Sequence, residues 1–214
     1  MTESAPKRIV VFAAHGDDLE FTCGGTIAKF TDLGHQVALV VATDNDKVIC
    51  LGFSDGELRE QCPVPELRGT FMRIIRELRA DITFAWDPFA PYEGHPDHRT
   101  VATAANEASS FSHFPLYHPE QIEEGLEPNY VAEQWYFAKA PRGQNKFVDI
   151  SDYIEKKIEA LCLHESQTAS AKYLANGGLG SQNSYLERET RVELATPAAL
   201  RAVLCLGSRC STTS

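Results

Sequence analysis

Ile9-Val-Val-Phe-Ala-Ala14 runs without a polar interruption. Continuous rather than alternating apolar residues mark a strand covered on both faces, as in a parallel sheet. The run ends in the polar cluster His15-Gly-Asp-Asp18. Gly24 to Leu33 then has helical character up to a stop at Gly34, and Val37–Ala42 is a second continuous apolar run. Together these segments make a βαβ unit of the usual ~30 residues. A third strand is expected over Val48–Phe53, with only Thr43–Lys47 before it. A parallel crossover takes roughly a dozen residues. The pattern therefore leaves two readings, an antiparallel hairpin or a crossover that lacks its usual connecting segment.

Further along, Pro65–Arg79 has helical spacing, with Leu67, Phe71, Ile74, Ile75 and Leu78 able to share one face. Ile82–Trp86 reads as a strand bounded by Asp87-Pro88. A helix is expected from Pro96 to about Ser109, since proline suits a first helical position. Gln134–Ala138 reads as another strand. Ser151 is placed to cap a helix over Asp152–Leu163, with Ile154, Ile158, Leu161 and Cys162 inward. Asn176–Gly180 reads as a break and 207–214 as a loose tail. Alternating strands and helices predict a single three-layer α/β domain with a mostly parallel sheet.

Composition narrows the class of partner. The 214 residues carry 20 Lys and Arg against 30 Asp and Glu, a net charge of −10. Such a surface repels phosphate backbones, so neither nucleic acid nor an anionic membrane is expected as a partner. No apolar run reaches the roughly 18 residues of a membrane span, and the opening residues carry no apolar signal core. Six cysteines without a CxxC pair read as reduced thiols, which points to the cytoplasm. Homo-oligomerisation stays open.

Two clusters carry candidate chemistry. In an open α/β sheet, ligands bind beyond the carboxyl ends of the strands. His15-Gly-Asp17-Asp18 follows the first strand there, and His95-Pro-Asp97-His98 follows Ile82–Trp86 and opens a helix. A catalytic zinc takes three ligands from histidine and carboxylate and keeps one position open. His15, Asp18 and His98 supply that set. Asp17 is then placed to take a proton from water, and His95, kept protonated by Asp97, to donate to a developing oxyanion. Either motif alone is as readily a capped helix start or an Asx-turn; the pair at compatible strand ends favours a metal site.

Ala13-Ala-His-Gly-Asp-Asp-Leu-Glu20 resembles the AHPDDxE signature of the PIG-L/LmbE-type zinc-dependent de-N-acetylases, and His95-Pro-Asp-His98 matches that family's second motif. Gly24-Gly-Thr26, Leu51–Leu58, Val148–Tyr153 and Lys157–Gln167 are also similar, so the resemblance runs from about Arg8 to Gln167. It implies a Rossmann-like sheet and hydrolysis of an N-acetyl group on an N-acetylglucosamine-type sugar or glycoconjugate. It also implies zinc on His15, Asp18 and His98, with Fe²⁺ or another divalent transition metal as substitutes. Asp17 is then the general base, His95 the oxyanion partner and Asp97 the residue orienting His95. Two departures stand out: Gly16 replaces the family's proline, which loosens the turn, and the link before the third strand is short.

Other residues read more plainly. His164 is expected to meet the last carbonyls of its helix, His35 to lie on the surface, and His113 and His118 to be solvent-exposed or to reach substrate. Tyr92 and Glu93 are candidates for a pocket wall, Trp86 and Trp135 for core or wall aromatics. Gly24-Gly25 lacks the rest of a dinucleotide fingerprint. A Mg²⁺- or Mn²⁺-dependent phosphoesterase and a non-catalytic sugar-binding protein are the alternatives; imidazole-rich ligation argues against the first.

Overall fold

A computed structural model describes residues 5–43, 49–91, 93–137 and 145–164. The link Asp44–Lys47, Val48, Tyr92, Ala138, the expected break at Asn176–Gly180 and the tail 207–214 lie outside the described residues. In chain order the elements are β1 (Arg8–Ala13), α1 (Asp18–Thr22), α2 (Gly24–Asp32), β2 (Gln36–Val41), β3 (Ile49–Cys50), α3 (Leu58–Gln61) and α4 (Val64–Leu78). There follow β4 (Ile82–Trp86), α5 (Pro96–Phe111), α6 (Pro119–Glu123), β5 (Glu133–Phe137), a 3₁₀ turn (Ser151–Tyr153) and α7 (Ile154–Cys162). The described residues divide between two compact units, one holding those of 5–16 and 33–137 and the other those of 17–32 and 145–164.

The first unit holds a five-stranded sheet in the order β3-β2-β1-β4-β5, every pairing parallel. Every residue of β4, and of β1 after Arg8, is buried, as a strand covered on both faces requires. Successive side chains take opposite faces. Val10, Phe12, Ala14, Val40 and Ala85 pack in one core with Leu67, Phe71, Met72 and Ile75 of α4 and with Val101, Ala104, Ala105 and Ala108 of α5. The Phe12 and Phe71 rings meet at 4.2 Å.

The third strand resolves the ambiguity of the short link against the hairpin. Ile49 and Cys50 pair parallel with Val40 and Val41. The hydrogen bonds from Leu51 N to Val41 O and from Phe53 N to Ala42 O, both 3.0 Å, carry the chain onward along β2.

In the second unit α2 packs with α7. A Cβ on Gly25 would meet Ile150 Cδ1 at 2.4 Å and its Cβ at 3.0 Å, so the second glycine of the Gly24-Gly25 pair is needed for close packing. Ser151 does not cap α7. It lies within the 3₁₀ turn and donates both N–H and Oγ–H to Asp149 Oδ1 (2.9 and 2.6 Å), because the aspartate two residues back reaches those donors first. Tyr153 OH donates to Asp32 Oδ2 at 2.8 Å, tying that turn to the end of α2.

Two polar anchors hold the first unit at the amino edge of its sheet. Arg76, only 1% exposed on α4, donates to the carbonyls of Ser112, Phe114, Tyr117 and His118 and to Gln121 Oε1, at 2.9–3.4 Å. These acceptors lie at and beyond the carboxyl end of α5, where helical carbonyls lack partners and partial negative charge collects. Burial pulls the guanidinium pKa below its ordinary value, with Glu120 opposing. Asp81 accepts from Arg8 N at 2.8 Å and from the Arg8 guanidinium at 3.1 and 3.2 Å, while its own carbonyl accepts from Ala132 N at 2.9 Å. It thereby joins the starts of β1, β4 and β5.

Arg76→Met keeps much of the volume and removes every donor. A loss of about 3 kcal/mol is expected from stranding buried carbonyls, read as a lower urea midpoint by circular dichroism. Asp81 gives a pH signature, because hydrogen bonding to Arg8 holds its carboxyl below the usual carboxylate range. The stabilisation is complete above the unfolded value near pH 4 and is lost as pH falls through the folded one. Both side chains are partly exposed, so the ion pair contributes about 0.5 kcal/mol. The stability gap between the native chain and Asp81→Ala should therefore narrow below about pH 4.

Candidate functional site

The strand order reverses between β1 and β4, and such a switch point opens a crevice at the carboxyl edge of the sheet. His15 follows β1 by two residues, and His95 caps α5 beyond β4. The sheet therefore brings the two motifs together across adjacent strands. Among the described residues, donor atoms of His15, His95 and His98 lie within 4.8 Å of one another, as do those of His15, Asp55, His95 and Asp97.

His98 sits in the first turn of α5 with its side chain 6% exposed. Trp86, the last residue of β4, stacks on its ring at 4.1 Å and 11°. The Nδ1 of His98 lies 3.1 Å from Glu93 Oε1, and its Nε2 lies 3.2 Å from Nδ1 of His15. On the far side of the His15 ring, Nε2 is 3.0 Å from Asp55 Oδ1 and 3.4 Å from Asp97 Oδ2.

Asp97 has no exposed surface. Its carboxylate accepts from Gly56 N at 2.7 Å and from Leu58 N at 3.3 Å. Gly56 has φ +80°, a left-handed conformation that glycine enters at little cost and that turns its N–H onto the carboxylate. The link from Asp97 to His95 runs through the backbone instead: Asp97 N–H donates to His95 Nδ1 at 3.3 Å. Burial first, then the neighbouring His98 and His15, pull the His95 pKa below its ordinary value, with Asp97 and Asp55 opposing. With Nδ1 accepting, a neutral His95 carries its proton on Nε2.

The outer nitrogens of His15 and His98 thus both face carboxylates. A proton on each of these makes the contacts attractive and leaves two lone pairs, His15 Nδ1 and His98 Nε2, converging at 3.2 Å. A cation between them, a proton or a metal ion, satisfies both.

Asp17 and Asp18 belong to the second unit, where Asp18 is buried and opens α1. Cys23 is buried and joins none of the candidate metal groups among the described residues. His164 N–H donates to Leu161 O, as expected of a helix end, and its ring lies 3.4 Å from Glu20. Trp135 stacks on Phe84 at 4.9 Å. His35 Nδ1 accepts from Lys7 N. His113 and His118 lie at and beyond the carboxyl end of α5. That helix runs antiparallel to the strands, so they stand at the opposite edge of the sheet from His98. Asp55 was not singled out from sequence, because nothing in a Ser-Asp-Gly turn distinguishes it from an ordinary loop.

A parallel sheet with imidazoles and carboxylates gathered at its switch point defines a Rossmann-like α/β protein with a metal-type donor set. The PIG-L family, described as GlcNAc-PI de-N-acetylase, matches residues 10–48 and 45–109, two stretches that overlap at the short link. A diacetylchitobiose deacetylase from Thermococcus kodakarensis is 33% identical over 75% of this chain and 70% of its own. The chain belongs to the PIG-L family. A 1D-myo-inositol 2-acetamido-2-deoxy-alpha-D-glucopyranoside deacetylase from Mycobacteroides abscessus is 23% identical over 75% of this chain and 81% of its own. Among solved structures, the N,N'-diacetylchitobiose deacetylase of Pyrococcus horikoshii, complexed with its inhibitor MPG, superposes with a TM-score of 0.70. It is 26% identical and covers 87% of this chain and 78% of its own.

Asp97→Ala removes the acceptor that holds the 54–58 turn. Amide exchange at Gly56 and Leu58 should accelerate, with a loss of about 1–3 kcal/mol in stability; unchanged protection of both amides would contradict the anchoring.

Proposed function

We propose that the protein is a zinc-dependent hydrolase that removes acetyl from the nitrogen of an N-acetylglucosamine-type sugar, free or within a glycoconjugate. The observation that carries this reading is the convergence of His15 Nδ1 and His98 Nε2 at 3.2 Å. Two nitrogens held at zinc-ligand distance on a tetrahedral ion stand about 3.3 Å apart. The donors therefore suit the ion, and imidazole-rich ligation favours zinc over magnesium. The deacetylases to which the chain is similar act on acetamido sugars by name, which supports the substrate class.

In this reading His15, Asp18 and His98 hold the metal, with Asp18 assigned by its place three residues after His15 in the first motif. The ion, when bound, supplies Lewis acidity toward a carbonyl oxygen and lowers the pKa of water. Asp17 takes the proton from the attacking water. His95, with Nδ1 occupied by the Asp97 amide, presents Nε2–H to the oxyanion of the tetrahedral species. Asp17 then passes its proton to the departing amine, so that amino sugar and acetate leave.

Acetate release from a panel of N-acetylated amino sugars tests the proposal. Activity should disappear with chelator and return with Zn²⁺. Asp17→Ala should lose roughly 10²–10⁴-fold in kcat while still binding metal. Purified protein without a stoichiometric transition metal, or an Asp17→Ala variant at full rate, would sink the reading. Tight sugar binding at full zinc occupancy without turnover would point instead to a binding protein.

A further inference from the structure

Glu93 lies two residues before the second motif, yet its side chain is only 6% exposed. A carboxylate that deep needs compensation. Its Oε1 accepts the N–H of His95 at 2.9 Å and lies 3.1 Å from Nδ1 of His98. Arg99, one turn into α5, donates from Nη1 to the carbonyls of Glu93 and Gly94, each at 2.8 Å, and so clamps this backbone onto the helix start. Trp86 covers one face of the His98 ring, leaving Nδ1 toward Glu93 and Nε2 toward His15.

At 3.1 Å the Glu93–His98 contact sets a carboxylate oxygen against the ring nitrogen without meeting the geometry of a hydrogen bond. The electrostatics still discriminate between tautomers. A lone pair on Nδ1 would face a carboxylate oxygen; a proton on Nδ1 turns the same contact attractive.

We infer that Glu93 is a positioning residue. It fixes His98 as the Nδ1–H tautomer, keeps Nε2 bare toward His15, and thereby sets the affinity of the site for a divalent metal. The second effect rests on the zinc reading above; the first does not. An outer carboxylate on a ligating histidine fixes ring orientation and raises basicity, and its loss typically costs 10–100-fold in metal affinity.

The test pairs two measurements on Glu93→Ala, Glu93→Gln and the native chain, with folding checked by circular dichroism. In metal-free protein, long-range ¹H–¹⁵N spectra of ¹⁵N-histidine-labelled samples report the His98 tautomer. The native chain should show Nδ1–H; Glu93→Ala should shift toward Nε2–H, with Glu93→Gln between them. Competition with a chromogenic chelator should show Zn²⁺ binding weakened roughly 10–100-fold in Glu93→Ala and less in Glu93→Gln. A native His98 that carries no proton on Nδ1, or a folded variant with unchanged tautomer and unchanged zinc affinity, overturns the inference. If Glu93→Ala does not fold, Glu93→Gln decides by the same readouts. If the native chain binds no zinc but the tautomer follows Glu93, the metal reading fails and the positioning role stands.

Discussion

Asp97 is a carboxylate with no exposed surface, and a charge in that position has to be met on every side by donors. Here they come from separate parts of the chain: the amides of Gly56 and Leu58, and the ring of His15. The loop after β3, the end of β1 and the first turn of α5 are thereby fixed to one another through a single side chain. The positions of the three imidazoles depend on this joint, because His95 and His98 flank Asp97 on the same turn and His15 is held against it.

The second half of that dependence is α5 itself. Alanines at 102, 104, 105 and 108 are buried, which lets the helix lie close to the sheet. Its carboxyl end is gathered by Arg76, a cation that meets carbonyls rather than acids. Carbonyls that would otherwise be stranded at a helix end are satisfied, and the local negative charge is matched.

Much of this was legible in the sequence where burial alone decides. The bounds of β4 coincide with the expected strand Ile82–Trp86, and α5 begins at Pro96 as the proline rule requires. His15, His95 and His98 come together because parallel strands bring their carboxyl ends to one edge. Short elements were missed: α1, α3 and α6 span four or five residues, too few for a 3.6-residue period to register. Partners defined by three-dimensional approach were missed for another reason. Asp55 and the Asp97 anchors depend on where the β3 loop travels, and the partner of His95 Nδ1 is a backbone amide. Glu93 was noticed only as a wall residue, since its burial cannot be read from the Gly94 loop beside it.

α5 spans 16 residues, a rod of about 24 Å. One end carries the imidazoles of His95 and His98; the other is gripped by Arg76 at the opposite edge of the sheet. The edge that carries the imidazoles and the edge that Arg76 holds are therefore spanned by one continuous helix, so a single 16-residue segment bridges the two rims of the sheet.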